Sequence, residues 1–432
     1  MDVFCPVDGQ VAAGAAGDLF VVLDGLPDPR RSGWRRHPLG YVLAVVFAAF
    51  ATPGFESLAG AAQWARDPVR TREQLLALGA WADPFDGRVY PPGEPTIRRV
   101  LTEIDPAALS TACVAWTLAQ QRKDPGTDGG TDGGTDAERA GEGAERDAAR
   151  LARRLTAVAM DGKCARGARR SDGSTPGFMA AVTHDRPVVL AQEQIPDKTS
   201  EIGCVATLLA DLRAVGWDLG STVLTLDALH TVRDTARSIR AAGAHYVMTV
   251  KANRAELYTR CAELVAHAEA TDLSRDVTTS RGHGRTEERI LTAVTITDAD
   301  RIDFPAAAQV FRVLRYTGGL DGQRTTKEVV YGITSLIRDQ ADAAALSVLV
   351  RGHWQVENGL HYVRDTTFKE DASHARTGTL PAALAAVRNT VIAALRLAGA
   401  TNIAQARRWA AGTVERIINL FTTRTNLDIS AL

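Results

Sequence analysis

Hydrophobic and polar positions divide the chain into stretches of different periodicity. Residues 20–121 carry apolar side chains at helix-like spacing, interrupted by turn-forming pairs such as Asp83-Pro84. After residue 149, short apolar runs of β character alternate with two stretches of helical spacing, at 200–215 and 230–242. The pattern predicts an all-α amino-terminal part followed by an α/β part, which ends in further helices from about residue 339.

The apolar runs predict a mixed sheet in the α/β part. The first five strands are expected at 155–160, 178–183, 187–195, 222–226 and 245–250. Their order is three strands, helix, strand, helix, strand, which favours an α/β layer. A second strand-rich block is expected at about 276–334.

A segment of different composition separates the two parts. Residues 124–148 repeat Gly, Thr and Asp, and they contain eight acidic and two basic side chains. Such a segment has almost nothing with which to form a core, so it is expected to be a flexible, solvated linker. The predicted domains are therefore 1–123 and 149–432.

The longest apolar run, 38–55, is uncharged over 18 residues. That length lies at the lower margin for a membrane-spanning helix, and Pro53-Gly54 shortens the helical part further. A buried core helix is the expectation and a membrane span the alternative. The five cysteines form no C-x-x-C pair and are typical of reduced thiols in a cytoplasmic protein.

The net charge of the chain is informative only when the positions of the charged residues are considered. The formal net charge of -1 argues against a protein that is basic throughout. It does not exclude a nucleic-acid partner, because the position of the charge decides phosphate binding. The linker contributes -6, whereas residues 149–432 contribute +6.

Two basic residues mark a helix in the amino-terminal part. The segment 94–104, EPTIRRVLTEI, has Arg98 and Arg99 in its first turns. A recognition helix of a helix-turn-helix unit has this pattern, and so does an ordinary surface helix.

Aspartates follow two of the predicted strands. Asp161 comes after the first strand and Asp227 after the fourth. If these strands are parallel neighbours, both carboxylates lie at the same edge of the sheet. Two close carboxylates repel each other unless a proton or a cation intervenes, and oxygen ligands suit Mg²⁺ or Mn²⁺.

A third acid lies in the predicted helix VRGHWQVENGLHYVRDTTF. His353, Glu357 and His361 recur every four residues, which places them on one helix face. A solvated helix face is one interpretation. A zinc site is disfavoured because the H-E-x-x-H spacing is missing.

These segments resemble a known family. AVAMDGK, TLDALH and RGHWQVENGLHYVRDTTFKEDAS are similar to the three acidic motifs of bacterial insertion-sequence DDE transposases, above all the H-repeat-associated branch. GLPDPRRSGWRRHPLGYVLA resembles the amino-terminal associated domain of that branch. The resemblance covers about residues 22–400, interrupted by the linker.

The resemblance implies a ribonuclease-H-like catalytic domain with a β-rich insertion at about 255–338. Within it, Asp161, Asp227 and Glu357 would be the catalytic residues and would bind two Mg²⁺ ions, for which Mn²⁺ can substitute. Residues 1–123 would bind the ends of the element. The implied partner is double-stranded DNA, both element end and target, with a dimer or larger assembly on DNA and no membrane.

Several basic residues are expected to contact this DNA. They are Lys163, Lys251, Arg98, Arg99, His283, Arg285, Arg351, His353 and Arg364. The wider superfamily often carries a Y-x2-R-x3-E-x6-K signature around the glutamate. Here Val350 stands at the tyrosine position, His353 at the arginine and Arg364 at the lysine, so the grip on the DNA end departs from the family pattern.

The implied activity is a DNA transposase of the bacterial cytosol that cleaves element ends and joins their 3′-OH groups to target DNA. Two alternatives stay open. One is a decayed or domesticated protein that binds DNA without cutting it. The other is a ribonuclease-H-like nuclease that cuts without joining.

Overall fold

The computed structural model describes residues 18–31, 35–121, 155–195, 201–282, 284–297, 302–319, 324–422 and 429–430. The predicted linker at 124–148 lies outside these residues. Two compact units are formed. The first takes the described parts of 1–128, 164–178 and 360–432, and the second those of 129–163 and 179–359.

Fourteen α-helices are found among the described residues. Six precede the linker: α1 Leu19–Asp24, α2 Leu39–Ala51, α3 Leu58–Arg66, α4 Arg72–Ala77, α5 Glu94–Glu103 and α6 Pro106–Gln121. Eight follow it: α7 Cys204–Ala214, α8 Arg233–Ala241, α9 Ala255–His267, α10 Ala343–Gly352, α11 Tyr362–Thr366, α12 Leu380–Leu397, α13 Ile403–Ala410 and α14 Val414–Phe421. A π-helix, Val356–His361, lies between α10 and α11.

The first unit is helical and has α2 in its core. Every residue of α2 is buried, which explains why this helix carries no polar face. The apolar run at 38–55 is therefore a buried core helix, as expected. Among the described residues, Leu380–Leu397 is the helix long and apolar enough to cross a membrane, and 94% of it is buried inside the protein.

The strands form one nine-stranded sheet. They are β1 Thr156–Cys164, β2 Gly177–Thr183, β3 Val189–Ile195, β4 Thr222–Leu226, β5 His245–Val250, β6 Leu273–Gly282, β7 Arg285–Thr295, β8 Gln309–Gly319 and β9 Arg324–Thr334. Their order is β3-β2-β1-β4-β5-β9-β8-β7-β6. β1, β4 and β5 are parallel neighbours, as helical crossovers require. The order 3-2-1-4-5 of the first five strands is ribonuclease-H-like, so the predicted fold class is confirmed.

The β-rich block continues this sheet. β9 pairs antiparallel with β5, and β8, β7 and β6 follow in antiparallel order. The block therefore extends the sheet beyond β5 instead of forming a sheet of its own. Its outer hairpin joins β6 to β7 at a two-residue turn, where Gly284 has a φ of 74°.

Helices from the carboxyl-terminal part of the chain lie in the first compact unit. The carboxyl-terminal helices belong to the first unit, where α12 packs on α2, α5 and α6. α12 is buried on all sides and needs apolar partners around it, which these helices provide.

Candidate functional site

The first two acids lie side by side on two neighbouring strands in the sheet, β1 and β4. β1 and β4 are parallel, with Met160 opposite Leu226, so that Asp161 and Asp227 occupy the next position of each strand. Asp161 is still within β1, which runs on to Cys164. Asp227 directly follows β4, and its carboxylate accepts a hydrogen bond from the backbone N–H of Leu229 at 2.9 Å. The sequence prediction of a shared edge is therefore confirmed.

The third acid, Glu357, lies in the π-helix Val356–His361. The predicted single α-helix is wrong here, because α10 ends at Gly352 and helical structure resumes only with the wider π-turn. Single π-turns occur often at functional sites. A carboxylate oxygen of Glu357 lies within 4.8 Å of one from Asp161, and a ring nitrogen of His361, from the same π-helix, lies within that distance of Glu357.

All three acids line one cavity of about 460 Å³. Its charged lining consists of Asp161, Asp227, Glu328, Glu357, Lys251, Arg289, Arg315 and Arg351. Four negative and four positive groups thus face one space. A divalent cation and a phosphate group are the two kinds of ligand that such a mixed lining suits.

The donor set fits a hard divalent cation. Asp161, Asp227 and Glu357 offer only carboxylate oxygens, which Mg²⁺ and Mn²⁺ prefer. Carboxylate oxygens of Asp161 and Glu357 lie within 4.8 Å of each other. A positive charge between such groups relieves their repulsion.

Two glycines fit the segment that carries Glu357 against the connection between β2 and β3. A Cβ on Gly352 would lie 2.2 Å from Nδ1 of His184, and a Cβ on Gly359 would lie 2.4 Å from Cγ of Pro187. Real Cβ atoms essentially never come so close. Glycine is therefore required on both sides of Glu357.

A row of charged residues across three strands was missed by the sequence analysis. Arg289 on β7 pairs with Arg315 on β8, which pairs with Glu328 on β9. Arg315 also makes an ion pair with Glu328. All three line the cavity. The alternating pattern of β7 places Arg289 and Leu291 on one face, but only the strand register brings the row together.

His353 lines the cavity, and a hydrogen bond to a threonine of β4 fixes its ring. Its Nδ1 is 3.0 Å from the hydroxyl of Thr225, and the same hydroxyl is 2.9 Å from Nε2 of His184. Burial, followed by the charge of His353, lowers the pKa of His184 to about 4. His184 is therefore neutral at pH 7.

Five of the remaining predicted DNA contacts lie between residues 163 and 351. Lys251 and Arg351 are exposed and line the cavity, and Lys163 lies two residues after Asp161 on the same face of β1. Arg285 is exposed at the start of β7, outside the cavity lining. His283 lies outside the described residues.

Arg98 and Arg99 lie on α5, in the first unit. Arg98 is exposed and makes an ion pair with Glu94, one turn earlier on the same helix. Neither arginine lines the cavity.

The prediction for Arg364 is wrong. Its guanidinium donates to both carboxylate oxygens of Glu370, at 2.7 and 2.8 Å, and its side chain is only 1% exposed. Arg388, equally buried, lies 3.1 Å from the same carboxylate. Arg364 is thus part of the core of the first unit and is not accessible to a DNA phosphate.

Comparison with protein families identifies both parts of the chain. Residues 153–387 match the transposase DDE domain, and residues 20–117 match the domain described as DDE_Tnp_1-associated. The first match covers more than half of the chain. It also contains Asp161, Asp227 and Glu357.

Individual relatives agree with this assignment. The chain is 26% identical over 381 residues to the putative transposase YncI of Escherichia coli O157:H7, covering 86% of this chain and 85% of the relative. It is 25% identical over 249 residues to the H repeat-associated putative transposase YhhI of Escherichia coli K12, covering 54% and 62%.

Among solved structures, a piggyBac transposase synaptic complex with hairpin DNA aligns over 93% of this chain and 74% of that chain, with 10% identity and a TM-score of 0.37. That score is too low to add to the family match. Together, the family matches and relatives show that the chain belongs to the transposase DDE domain family, in the H-repeat-associated branch of the insertion-sequence transposases.

Proposed function

We propose that the protein cleaves the ends of an insertion sequence and joins the freed 3′-OH to target DNA, with Asp161, Asp227 and Glu357 as its catalytic carboxylates. One observation carries the proposal: three acids from β1, β4 and the π-helix line a single cavity together with Lys251 and Arg351. Cleavage breaks a phosphodiester bond by hydrolysis, and joining attacks a second phosphodiester with the 3′-OH. Neither step requires a protein nucleophile.

The three carboxylates are the residues that would hold two Mg²⁺ ions, or Mn²⁺ in their place. When bound, such a pair supplies charge stabilisation for the attacking and leaving oxygens. The protein residues position these groups. Asp161 is fixed by the β1 ladder, Asp227 by its turn after β4, and Glu357 by the glycine contacts of its segment.

Basic side chains bind the DNA backbone beside the acids. Lys251 and Arg351 are exposed at the cavity, and neither has an ion-pair partner among the described residues. Arg289 and Arg315 line the same cavity, where Glu287 and Glu328 are their ion-pair partners. Phosphate contacts of this kind fix the position of the duplex without reading its sequence.

The rest of the chain completes the proposed function. The helices of residues 20–117, the associated domain, bind the element ends, with Arg98 and Arg99 on α5 as candidate contacts. Two element ends must be paired, so the DNA-bound form is a dimer or larger. The protein acts in the bacterial cytosol, where its double-stranded DNA substrate lies.

The full chain and the DNA that flanks its coding region provide the test. A labelled duplex carrying the terminal inverted repeat is incubated with the protein, Mg²⁺ and a target plasmid. We expect a nick that exposes a 3′-OH at the element end, followed by a joined product, and neither product in EDTA. Duplexes with scrambled ends are the matched control.

The two alternatives give other products in the same assay. Nicks without joined product, also when pre-cleaved ends are supplied, would identify a nuclease. A gel shift of the end duplex without any cleavage in Mg²⁺ or Mn²⁺ would identify a DNA-binding protein. Either result would contradict the proposed transposition reaction.

A further inference from the structure

A second concave site, the arginine cleft, lies on the segments that follow β4 and β5. It has a volume of about 690 Å³, and residues of the first turns of α8 and α9 line it. The cleft adjoins the cavity, because Thr249 and Lys251 line the cavity and Arg254 lines the cleft. The backbone N–H of Arg254 donates to the carbonyl of Lys251 at 3.0 Å, so a single short turn separates the two sites.

The starts of two helices contribute positive potential to the arginine cleft. α8 begins at Arg233 and α9 at Ala255, and neither helix has a side-chain hydrogen bond at its N-cap. The first N–H groups of a helix have no acceptor within the helix, and the helix dipole places partial positive charge there. Both properties favour an anion at this position.

The side chains of the arginine cleft add further positive charge. The lining contains four arginines, Arg233, Arg237, Arg254 and Arg260, and three acids. Three of the arginines have an acidic ion-pair partner, whereas Arg254 makes no ion pair among the described residues. The Nε of Arg254 is buried and has no hydrogen-bond partner there. A charge withdrawn from water in this way is stabilised by an anion close to it.

The carboxylate of Asp303 shows which chemistry the arginine cleft accepts. Asp303 forms an ion pair with Arg233, at the start of α8. A hydrogen bond from Arg233, followed by the charges of three arginines of the cleft, lowers the pKa of Asp303. The side chain of Asp303 is nevertheless 70% exposed. Exposed ion pairs are weak, so another oxyanion can take the place of this carboxylate.

We propose that the arginine cleft binds a phosphate group of the same DNA strand that enters the cavity, with Arg254 as its principal ligand and with the carboxylate of Asp303 displaced. The inference rests on the proposed function, because that function places the strand in the cavity. The non-bridging oxygens of a phosphodiester accept hydrogen bonds from arginine side chains and from helix N–H groups. Such a contact carries no sequence information, so Arg254 is a positioning residue.

The affinity of the full chain for a duplex with the terminal inverted repeat measures the contact. It is determined without divalent cations and at several salt concentrations. We expect Arg254→Gln to weaken binding about 10-fold, the size of one hydrogen bond between charged groups, and to reduce the salt slope by about 1. Arg213→Gln removes an exposed arginine outside both sites and should change the affinity less than about 2-fold. Equal effects of the two substitutions would overturn the proposal.

Neutral phosphate analogues locate the contact on the DNA. One phosphate at a time is replaced by a methylphosphonate along the end duplex. The wild type should lose affinity at a phosphate close to the cleaved one, and Arg254→Gln should be insensitive at that position, because the same contact cannot be lost twice. A purely structural role of Arg254 would leave the map of sensitive phosphates unchanged. An unchanged map would therefore overturn the proposal.

Removal of the competing carboxylate tests the displacement of Asp303. Asp303→Asn should tighten binding of the end duplex about 3-fold, since the phosphate no longer replaces an ion pair. Asp339→Asn makes the same change of charge at an exposed acid outside the cleft and is the matched control. An Asp303→Asn protein whose affinity changes no more than that of the control would contradict the displacement.

Further arms separate the possible failures. Thermal unfolding checks that Arg254→Gln is folded; if it is not, Arg237→Gln removes a more exposed charge of the same cleft. Inorganic phosphate that stabilises the wild type but not Arg254→Gln, with equal DNA affinities of both, would identify a site for free anions and overturn the DNA contact. A wild type that does not bind the end duplex would overturn the proposed function. A wild type that binds it independently of Arg254 would overturn this inference alone.

Discussion

A buried ion-pair cluster in the first unit contains two arginines and one glutamate. Arg364 and Arg388 share the carboxylate of Glu370, and all three side chains are at most 2% exposed. Charges removed from water to this degree are tolerated only when they are paired. The arginine at the position of the family lysine therefore stabilises the fold.

Removing one partner from this cluster should strongly lower the stability of the protein. We expect Arg364→Ala to lower the free energy of unfolding by about 3–5 kcal/mol, since it leaves Glu370 buried with less compensation. Denaturant unfolding measures the change. The matched control is Arg98→Ala, which breaks an exposed ion pair with Glu94 and should cost at most about 1 kcal/mol. A stable Arg364→Ala with weakened DNA binding would contradict the structural role.

Two partly buried histidines make the stability depend on pH. Burial, followed by Arg36 and Arg30, lowers the pKa of His37 from 6.5 to about 4, and burial followed by His353 does the same for His184. Because the unfolded chain takes up these protons near pH 6.5 and the folded chain only near pH 4, acidification across this window favours unfolding.

Between pH 6.5 and 4 His184 should therefore cost up to about 3 kcal/mol of stability, and the more exposed His37 should cost less, because solvent screens its charge. The melting temperature, measured at intervals over this window, is expected to fall less steeply for His37→Gln and His184→Gln than for the wild type. His374→Gln, which removes an exposed histidine, is the matched control. Parallel curves for the wild type and both buried-site variants would contradict the account.

At the scale of elements, the segment from α10 to α11 sets the position of the third acid. The break after Gly352 and the π-helix Val356–His361 bring Glu357 into the cavity that Asp161 and Asp227 also line. Contact with the β2–β3 connection holds the segment through Gly352 and Gly359. The position of Glu357 thus depends on two glycines that have no catalytic or ligand-binding side chain.

Gly359→Ala tests this dependence. The new Cβ would lie 2.4 Å from Pro187, so the π-helix must shift, at a cost of about 1–3 kcal/mol. We expect cleavage of element ends to fall more than DNA binding, measured by single-turnover rates and gel shift. Gly282→Ala, whose Cβ meets nothing within 4 Å, is the control for stability. A Gly359→Ala protein with wild-type cleavage would contradict this positioning role.

The sequence predicted the elements better than their exact junctions. The runs that became β1 to β5 are short and apolar, and the local pattern reveals that Asp227 follows a strand, whereas the extension of β1 beyond Asp161 to Cys164 was not predicted. The spacing of His353, Glu357 and His361 fits an α-helix, and nothing local signals a π-turn. The row from Arg289 to Arg315 depends on register between strands, which a single sequence does not display.

The burial of Arg364 could not be predicted from the sequence either. Nothing in the sequence indicates that its partner Glu370 is buried. The same is true of the association of α12 with α2, α5 and α6. Contacts between distant segments are decided by tertiary packing and not by local propensity. Sequence motifs therefore located the acids, whereas the structure assigned the basic residues to surface or core.

At the scale of the whole molecule, the charges that line the cavity are balanced. The cavity has four acidic and four basic lining residues, so it has no formal excess of either charge with neutral histidine. Divalent cations bound at the acids would compensate their negative charge and leave an excess of positive charge on the four basic residues. Two ligands of opposite charge that fill one site raise each other's affinity by the same factor.

We therefore expect divalent cations to tighten binding of the element end. Affinity measured with Ca²⁺, an oxygen-binding cation that permits binding to be followed without cleavage, should exceed that in EDTA by about 10-fold, or about 1.4 kcal/mol of coupling. Asp161→Asn should lose most of this difference. Equal affinities with Ca²⁺ and EDTA in the wild type would contradict the coupling.

The most direct test of the central claim is the single-turnover cleavage rate of an element end for Asp161→Asn, Asp227→Asn and Glu357→Gln, with Glu328→Gln as an acid of the same cavity outside the catalytic set. The account predicts that each of the first three lowers the Mg²⁺-dependent rate by at least about 10³-fold, because each removes several kcal/mol of charge stabilisation, while DNA binding and melting temperature are retained. Glu328→Gln should stay within about 10-fold of the wild type. Cleavage at the wild-type rate by any of the three variants would contradict the assignment of these acids.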